Sequence, residues 1–287
     1  MAPQKIAVIG HPIGHTMSPF IHERLFALSR RPLSYTVLDV PDLKEAIPVL
    51  CGLDCFNVTI PHKNAIIPFL DEVEEKAKAS GSVNTVQVKQ GRLFGYTTDG
   101  AGCRAALKNH GAELSGKVLL LGNGGAARAI AFEAAECPGT SLTIVSRENS
   151  VEKGQKLCSD LQKYRGVGRE VRVLTYAALE SEKTEFDVLI NATSAGMYPH
   201  TGECPVSEEV VSRCSAVFDA VYNPAETELL QRAERLGVKA IGGMEMLVFQ
   251  AVAAHEIWYG TQFKVSELAV ICKDAAEEMR RIFGGKA

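Results

Sequence analysis

The run Lys117-Val118-Leu119-Leu120-Leu121, followed at once by Gly122-Asn123-Gly124-Gly125-Ala126-Ala127, restricts the fold of this chain more than any other stretch. An apolar strand that ends in G-x-G-x-x-A and opens into a helical pattern is a strand-turn-helix junction. The first glycine permits the tight turn, the second lets the backbone approach a diphosphate, and small Ala127 lets the helix pack closely on the sheet. The free N–H groups at the start of that helix, with its positive dipole end, suit an anion. Gly122, Asn123, Gly124, Gly125 and Ala126 are therefore candidate cofactor-binding residues, and a dinucleotide is the implied ligand. Taken alone, such a match also fits a glycine-rich turn with no ligand.

The context strengthens the first reading. KVLLLG is followed by the apolar runs SLTIV (141–145), VRVLTY (171–176), FDVLINAT (186–193) and AVFDAVY (216–222), and by the short strand KAIGG (239–243). Nearly continuous apolar strands separated by helix-length segments predict a parallel sheet covered on both faces, which is a doubly wound domain. After the second of these strands stands Ser146-Arg147-Glu148-Asn149. The planar fork of Arg147 suits the 2′-phosphate of NADP and Ser146 can add a hydrogen bond, whereas Glu148 would repel that phosphate and keeps NAD open.

The first hundred residues have a different rhythm. KIAVIG (5–10), SYTVLDV (34–40) and CFNVTI (55–60) read as strands, and residues 18–30 carry Phe20, Ile21, Leu25, Phe26 and Leu28 at helical spacing. Ser18 is the expected N-cap of that helix, with Pro19 at its first position. Residues 84–98 predict two strands around a Gln90-Gly91 turn, so this region mixes parallel and antiparallel pairing. A length of 287 residues suits two domains. The fold class expected is α/β: an N-terminal α/β substrate domain plus a doubly wound, Rossmann-like dinucleotide-binding domain.

Composition narrows the partners. With a net charge of −3 the chain has no broad positive field for nucleic acid. The start MAPQKIAVIG lacks the features of a secretory signal and no apolar run reaches the length of a membrane span, so a cytoplasmic location and no membrane partner are expected. The eight cysteines are scattered without C-x-x-C pairs, which predicts reduced, structural thiols. His11 and His15 are four apart, an interval that could hold a metal on a helix, but Pro12 and Gly14 lie between them and no metal site is expected. His22 and His62 add nothing to that set, and His62 is read as a local hydrogen-bonding partner; Trp258 and Tyr259 read as packing residues.

The chemistry-bearing candidates are Lys63 and Asp99. Asn57-Val58-Thr59-Ile60-Pro61-His62-Lys63 runs from an apolar strand into a lysine, at the strand end where open α/β sheets commonly bind ligands. A positioned lysine can donate a proton to a ketone oxygen. Most lysines after a strand are merely exposed. Asp99, in Tyr96-Thr97-Thr98-Asp99-Gly100, would orient that lysine if it faced it, although helix capping is its bland reading.

With these residues in view, the chain resembles the shikimate dehydrogenase family. The resemblance rests on GHPIGHTMSPFIH (10–22), NVTIPHK (57–63), GSVNT (81–85), TTDG (97–100), GNGGAARA (122–129), NATSAGM (191–197), DAVYNPAET (219–227) and GMEMLVFQA (243–251), in the same order over nearly the whole chain. It implies Lys63 and Asp99 as the catalytic pair. It implies Asn57, Thr59, Asn84, Tyr222 and Gln250 as substrate contacts, with Thr16 and Ser18 where many members hold the substrate carboxylate with two serines. Thr193, Ser194, Met197, Val221, Gly243 and Met246 match positions along the cofactor, towards its nicotinamide. The implied domains are 1–103 with 239–287, for substrate and catalysis, and 104–238 for the dinucleotide. The implied activity is NADP-dependent interconversion of 3-dehydroshikimate and shikimate by a monomer or homodimer. An NAD-dependent quinate or quinate/shikimate dehydrogenase is the alternative, kept open by Thr16 and Glu148; a non-catalytic ligand-sensing regulator is opposed by the retention of Lys63, Asp99 and the glycine loop. Thr16 in place of serine bears on the ring substituents tolerated, and Thr97 replaces an asparagine common in the family.

Overall fold

The structure, a computed structural model, describes residues 4–14, 16–164 and 170–283. It contains two six-stranded sheets. The first is built from β1 (Gln4–Gly10), β2 (Leu33–Asp39), β3 (Cys55–Val58), β4 (Glu72–Val73), β5 (Thr85–Lys89) and β6 (Arg92–Tyr96), in the spatial order β2-β1-β3-β5-β6-β4. β1 pairs in parallel with β2 and β3, and β5 is antiparallel to both β3 and β6. The tight turn between β5 and β6 is made by Gln90 (φ 53°) and Gly91 (φ 76°), the two left-handed residues that a two-residue hairpin loop favours. Helices α1 (Ser18–Leu28), α2 (Leu43–Leu50), α3 (His62–Ala65) and α4 (Glu75–Ser80) connect these strands.

Helix α5 (Asp99–Asn109) leads to the second sheet: β7 (Lys117–Leu121), β8 (Ser141–Ser146), β9 (Val171–Thr175), β10 (Phe186–Asn191), β11 (Cys214–Asp219) and β12 (Lys239–Ile241), ordered β12-β11-β10-β7-β8-β9. Every pairing in it is parallel. Alternate residues of β7 serve opposite faces: Val118 and Leu120 join a core with Ile130 and Phe132 of α6 (Gly125–Glu136), while Leu119 and Leu121 join one with Val210 and Val217. Coverage on both faces explains why the strands are uniformly apolar. The remaining crossovers are α7 (Val151–Lys163), α8 (Tyr176–Ser181), α9 (Glu208–Ser212) and α10 (Glu228–Arg235).

The chain then returns to the first sheet through α11 (Met244–Tyr259) and α12 (Val265–Phe283). Trp258 and Ala254 of α11 pack with Ile6, Cys55 and Phe26, and Val248 and Ala251 pack with Ile21 and Leu25 of α1. Tyr259 packs beside Trp258 at the same core. All eight cysteines are free. No helix among the described residues is long and apolar enough to cross a membrane.

Two expectations need correction. Residues Lys239–Ile241, placed with the first domain, pair with β11 and extend the second sheet. Ser18 is not the cap of α1; Met17 already has near-helical dihedrals (φ −87°, ψ −3°), so the helix begins with Ser18 and its hydroxyl is left for other partners.

Candidate active site

The carboxyl end of β3 delivers Asn57, Thr59 and then Lys63 on the short helix α3, while the end of β6 delivers Asp99 at the start of α5. Lys63 Nζ donates to Asp99 Oδ2 at 2.5 Å, with the lysine part-buried and the carboxylate buried. The other carboxylate oxygen, Oδ1, accepts from Asn84 Nδ2 at 2.8 Å. Asn84 does more, because its Oδ1 accepts from the Thr98 backbone N–H at 2.7 Å and so fixes the residue before Asp99. Its Nδ2 also lies 3.2 Å from Gln250 Oε1 on α11. The capping alternative for Asp99 is not what the structure shows: the N-cap of α5 is Thr98, and the Asp99 side chain is spent on Lys63 and Asn84.

Two glycines explain how α5 brings Asp99 to this point. A Cβ at Gly100 would stand 2.5 Å from the Ala129 carbonyl oxygen of α6, and one at Gly102 would stand 2.7 Å from the Met246 carbonyl oxygen of α11. Helix α5 is thus wedged between the helix that follows the glycine loop and the helix that carries Gln250. Larger side chains would force those backbones apart.

A second group lies beside the first. Tyr35 O–H donates to Asn57 Oδ1 at 2.9 Å, and Asn57 Nδ2 reaches Thr85 Oγ1 at 3.5 Å. Thr16 Oγ1 donates to Ser18 Oγ at 3.1 Å and accepts the Ser18 N–H at 3.2 Å. The Thr59 backbone is pinned to β1, its N–H donating to the Ile9 carbonyl at 2.9 Å. Tyr222 packs with the core shared by α1, α11 and α12, and burial pushes its hydroxyl above the ordinary tyrosine range.

At the glycine loop, Gly122 adopts φ 106°, and a Cβ there would stand 3.0 Å from Thr193 Cγ2. Gly124 is the N-cap of α6 and offers no side chain, so the first N–H groups of that helix have no side-chain cap; Gly124 and Gly125 are exposed. A Cβ on Gly124 would meet nothing within 4 Å. That open space over uncapped N–H groups fits a diphosphate. Beside it is a cavity of about 1000 Å³ lined by Asn64, Gly81, Asn123, Gly124, Arg128 and Lys153 among others. Asn123 is braced from below, its Nδ2 donating to Ser146 Oγ and to the Ser150 carbonyl, both at 3.0 Å. Ala126 follows in the first turn of α6.

Ser146, expected to add a hydrogen bond to the cofactor, stands directly beneath Asn123 of the glycine loop. It is fully buried, and its hydroxyl accepts from Asn123 Nδ2. Arg147, the next residue, is exposed. Thr193 Oγ1 donates to Asn191 Oδ1 at 2.6 Å and Val221 N–H donates to Asp219 Oδ1 at 3.0 Å, so each is fixed by the residue ending its strand. Ser194 and Met197 are exposed, and Gly243 sits so near the Ala220 carbonyl oxygen that a Cβ would come to 2.5 Å. Met246 is buried against Cys103, Ala127 and Ile130, in the core rather than lining open space.

The histidines have local partners. His11 Nδ1 is 2.9 Å from Asp39, His62 Nε2 is 2.6 Å from the Val40 carbonyl, and His22 Nδ1 is 3.0 Å from His255 Nε2. His15 lies outside the described residues. One contact was invisible in the linear pattern. Arg128, one turn into α6, donates to the Ser80 carbonyl at 2.5 Å, the Ala79 carbonyl at 3.2 Å and Asp160 at 2.8 Å, joining the glycine-loop helix to the end of α4. Only the motif GGAAR hinted at it, and a motif does not name the carbonyls an arginine will meet.

A doubly wound sheet with an open glycine loop, set beside a second domain that presents a lysine–aspartate pair, defines the class of two-domain dinucleotide-dependent dehydrogenases. Comparison with known proteins specifies it further. Residues 8–86 match the family model of the shikimate dehydrogenase substrate binding domain. A shikimate dehydrogenase (NADP(+)) of Methanococcus maripaludis is 37% identical over 89% of this chain and 91% of its own length. One from Caldanaerobacter subterraneus is 40% identical, also over 89% of this chain and 91% of its own. The crystal structure of shikimate 5-dehydrogenase from Thermus thermophilus, in complex with NADP(H) and shikimate, superposes with a TM-score of 0.83 at 30% identity, covering 95% of this chain and 99% of that one. The chain belongs to the shikimate dehydrogenase family.

Proposed function

We propose that this chain interconverts 3-dehydroshikimate and shikimate with NADP, and that Lys63 and Asp99 act at the ring oxygen that is a ketone in one and a hydroxyl in the other. The observation that carries the assignment of roles is the 2.5 Å contact from Lys63 Nζ to Asp99, with the second carboxylate oxygen already held by Asn84. In the reductive direction the Lys63 ammonium donates to the ketone oxygen and delivers its proton as the alkoxide forms. Asp99 holds the ammonium in place, and Asn84 holds Asp99. In the oxidative direction the same lysine, neutral, takes up the hydroxyl proton. The nicotinamide, when bound, gives or takes the hydride.

The substrate is a carboxylic acid bearing several hydroxyls, and the polar groups converging here match that inventory. Thr16, Ser18 and Tyr222 supply hydroxyls for the carboxylate end. Asn57, Thr59, Asn84 and Gln250 supply the amides and hydroxyl for the ring. Such a site discriminates strongly against analogues that lack a hydroxyl, since its own buried groups would go unpaired. For the cofactor, the uncapped start of α6 takes the diphosphate and exposed Arg147 takes the 2′-phosphate. Thr193, Ser194 and Met197 lie on the loop after β10, Val221 on the loop after β11 and Gly243 between β12 and α11, where they would flank the nicotinamide.

Initial rates with shikimate and with quinate, each paired with NADP and with NAD, test the reading. Preference for shikimate with NADP is expected. Comparable or faster turnover of quinate with NAD would reassign the chain to a quinate dehydrogenase, and absence of turnover with every pair would sink both.

A further inference from the structure

Tyr35 is a half-buried residue to which neither the motifs nor the proposed reaction gives a task. It stands on β2 opposite Ile6, Ile6 stands opposite Cys55, and Val8 stands opposite Asn57. Residues alternating along parallel strands share a face, so Tyr35 and Asn57 lie on the same side of the sheet with β1 between them. The tyrosine is long enough to cross that strand, and its hydroxyl donates to Asn57 Oδ1 at 2.9 Å. Its ring is clamped by stacking on His22, with centroids 4.9 Å apart and 21° between planes. His22 is buried and tied in turn to His255 at 3.0 Å.

The same Tyr35 hydroxyl neighbours Ser18, one helical turn before His22 on α1. Burial pushes the Tyr35 hydroxyl well above the ordinary tyrosine range, and a hydrogen bond with Ser18 pulls the other way. Thr16 Oγ1 donates in turn to Ser18 Oγ at 3.1 Å. The hydroxyls of Thr16, Ser18 and Tyr35 thus follow one another towards Asn57, and the bond that fixes the amide is the one the Tyr35 O–H donates to Asn57 Oδ1. Since Asn57 Oδ1 is occupied and its Nδ2 has only the long 3.5 Å contact with Thr85, the amide nitrogen is the group left for a ligand.

We infer that Tyr35 is a positioning residue for the substrate, joining the hydroxyl pair at the carboxylate end to Asn57 at the ring end and turning the Asn57 amide nitrogen towards a ring hydroxyl. The inference rests on the proposed reading of Ser18 and Asn57 as substrate contacts. Without the tyrosine hydroxyl, the Asn57 amide can rotate and present its oxygen instead. Tyr35 does not touch the reacting atoms, so the chemical step and cofactor binding are left alone.

Tyr35→Phe tests this in the full-length enzyme, because it removes one oxygen and keeps the ring and its stack on His22. The KM for shikimate should rise about fivefold to tenfold, as loss of one hydrogen bond does. The kcat, the KM for NADP and the Tm should stay close to those of the parent. A merely structural role would lower the Tm and leave the two KM values unseparated, which overturns the inference. In an Asn57→Ala background the effect of Tyr35→Phe should shrink to about twofold or less. An undiminished effect there, or no change in the shikimate KM on Tyr35→Phe alone, also overturns it. If Asn57→Ala by itself leaves the shikimate KM unchanged, the assignment of Asn57 to the substrate fails and the inference falls with it; a raised KM with Asn57→Ala and none with Tyr35→Phe removes the inference alone.

Discussion

The surroundings of Lys63 at one end of the site and of Arg147 at the other are built in opposite ways. Around Lys63 the polar groups are linked in a chain: the lysine has Asp99, Asp99 has Asn84, and Asn84 reaches Thr98 and Gln250. At the end of β8, Arg147, Glu148 and Asn149 are all exposed. The difference teaches where precision is needed. Proton transfer depends on geometry held to a fraction of an ångström, so the protein fixes those side chains before any ligand arrives. Recognition of a 2′-phosphate depends on charge, which exposed side chains supply without a fixed geometry and which salt screens.

The comparison breaks first if the lysine is dispensable. Lys63→Ala should lower kcat by about 10² to 10⁴, the usual worth of a positioned acid–base group, while shikimate and NADP still bind. Steady-state rates and equilibrium titration of both ligands check it. A loss smaller than about tenfold would mean that the built end is not where the proton moves.

Asp219, the last residue of β11, is fully buried. It accepts from Thr227 Oγ1, Val221 N–H and Asn191 Nδ2, and so ties together the loops that carry Thr193 and Val221. Burial nevertheless outweighs the three donors and pushes its carboxyl up to about 6 from an ordinary value of 3.8. The folded protein therefore binds this proton more tightly than the unfolded chain does. Its contribution to stability is fully present below the unfolded value and is lost as pH rises through about 6. Relative to Asp219→Asn, the parent protein should lose stability between pH 4 and pH 6.5, by an amount on the order of 2 kcal/mol. Urea unfolding of both proteins across that range measures the difference. A flat or rising difference would show that the three donors, not burial, decide the charge.

How much of this was legible in the sequence follows the same division. Lys63, Asp99 and the glycine loop could be read because each sits at a strand end, where the sequence itself marks the junction with an apolar run and a break. The wedging of α5 could not, since Gly100 and Gly102 say that something approaches closely and not that it is Ala129 or Met246. The bond from Asn123 to Ser146 was not legible for a related reason: one residue decides to which side a strand's last side chain points. Tyr35 and Asn57, 22 residues apart, meet only through the register of two strands on β1. The boundary at residue 239 failed because a strand of three residues gives too short a pattern to announce which sheet it joins.

The exposed end gives the smaller effects, and two substitutions of opposite sign sharpen the contrast. Arg147→Ala should raise the KM for NADP about tenfold, leave that for NAD within about twofold, and show a smaller effect as salt increases. Glu148→Gln should do the reverse on a smaller scale, because it removes a carboxylate near the phosphate without adding a donor as strong as the arginine. A twofold to threefold fall in the KM for NADP, at unchanged kcat, is the expected result in low salt, in keeping with the modest energies of exposed charges. If Glu148→Gln instead raises the KM for both cofactors alike, the carboxylate holds a ribose hydroxyl common to both, and the preference for NADP has to come from Arg147 alone.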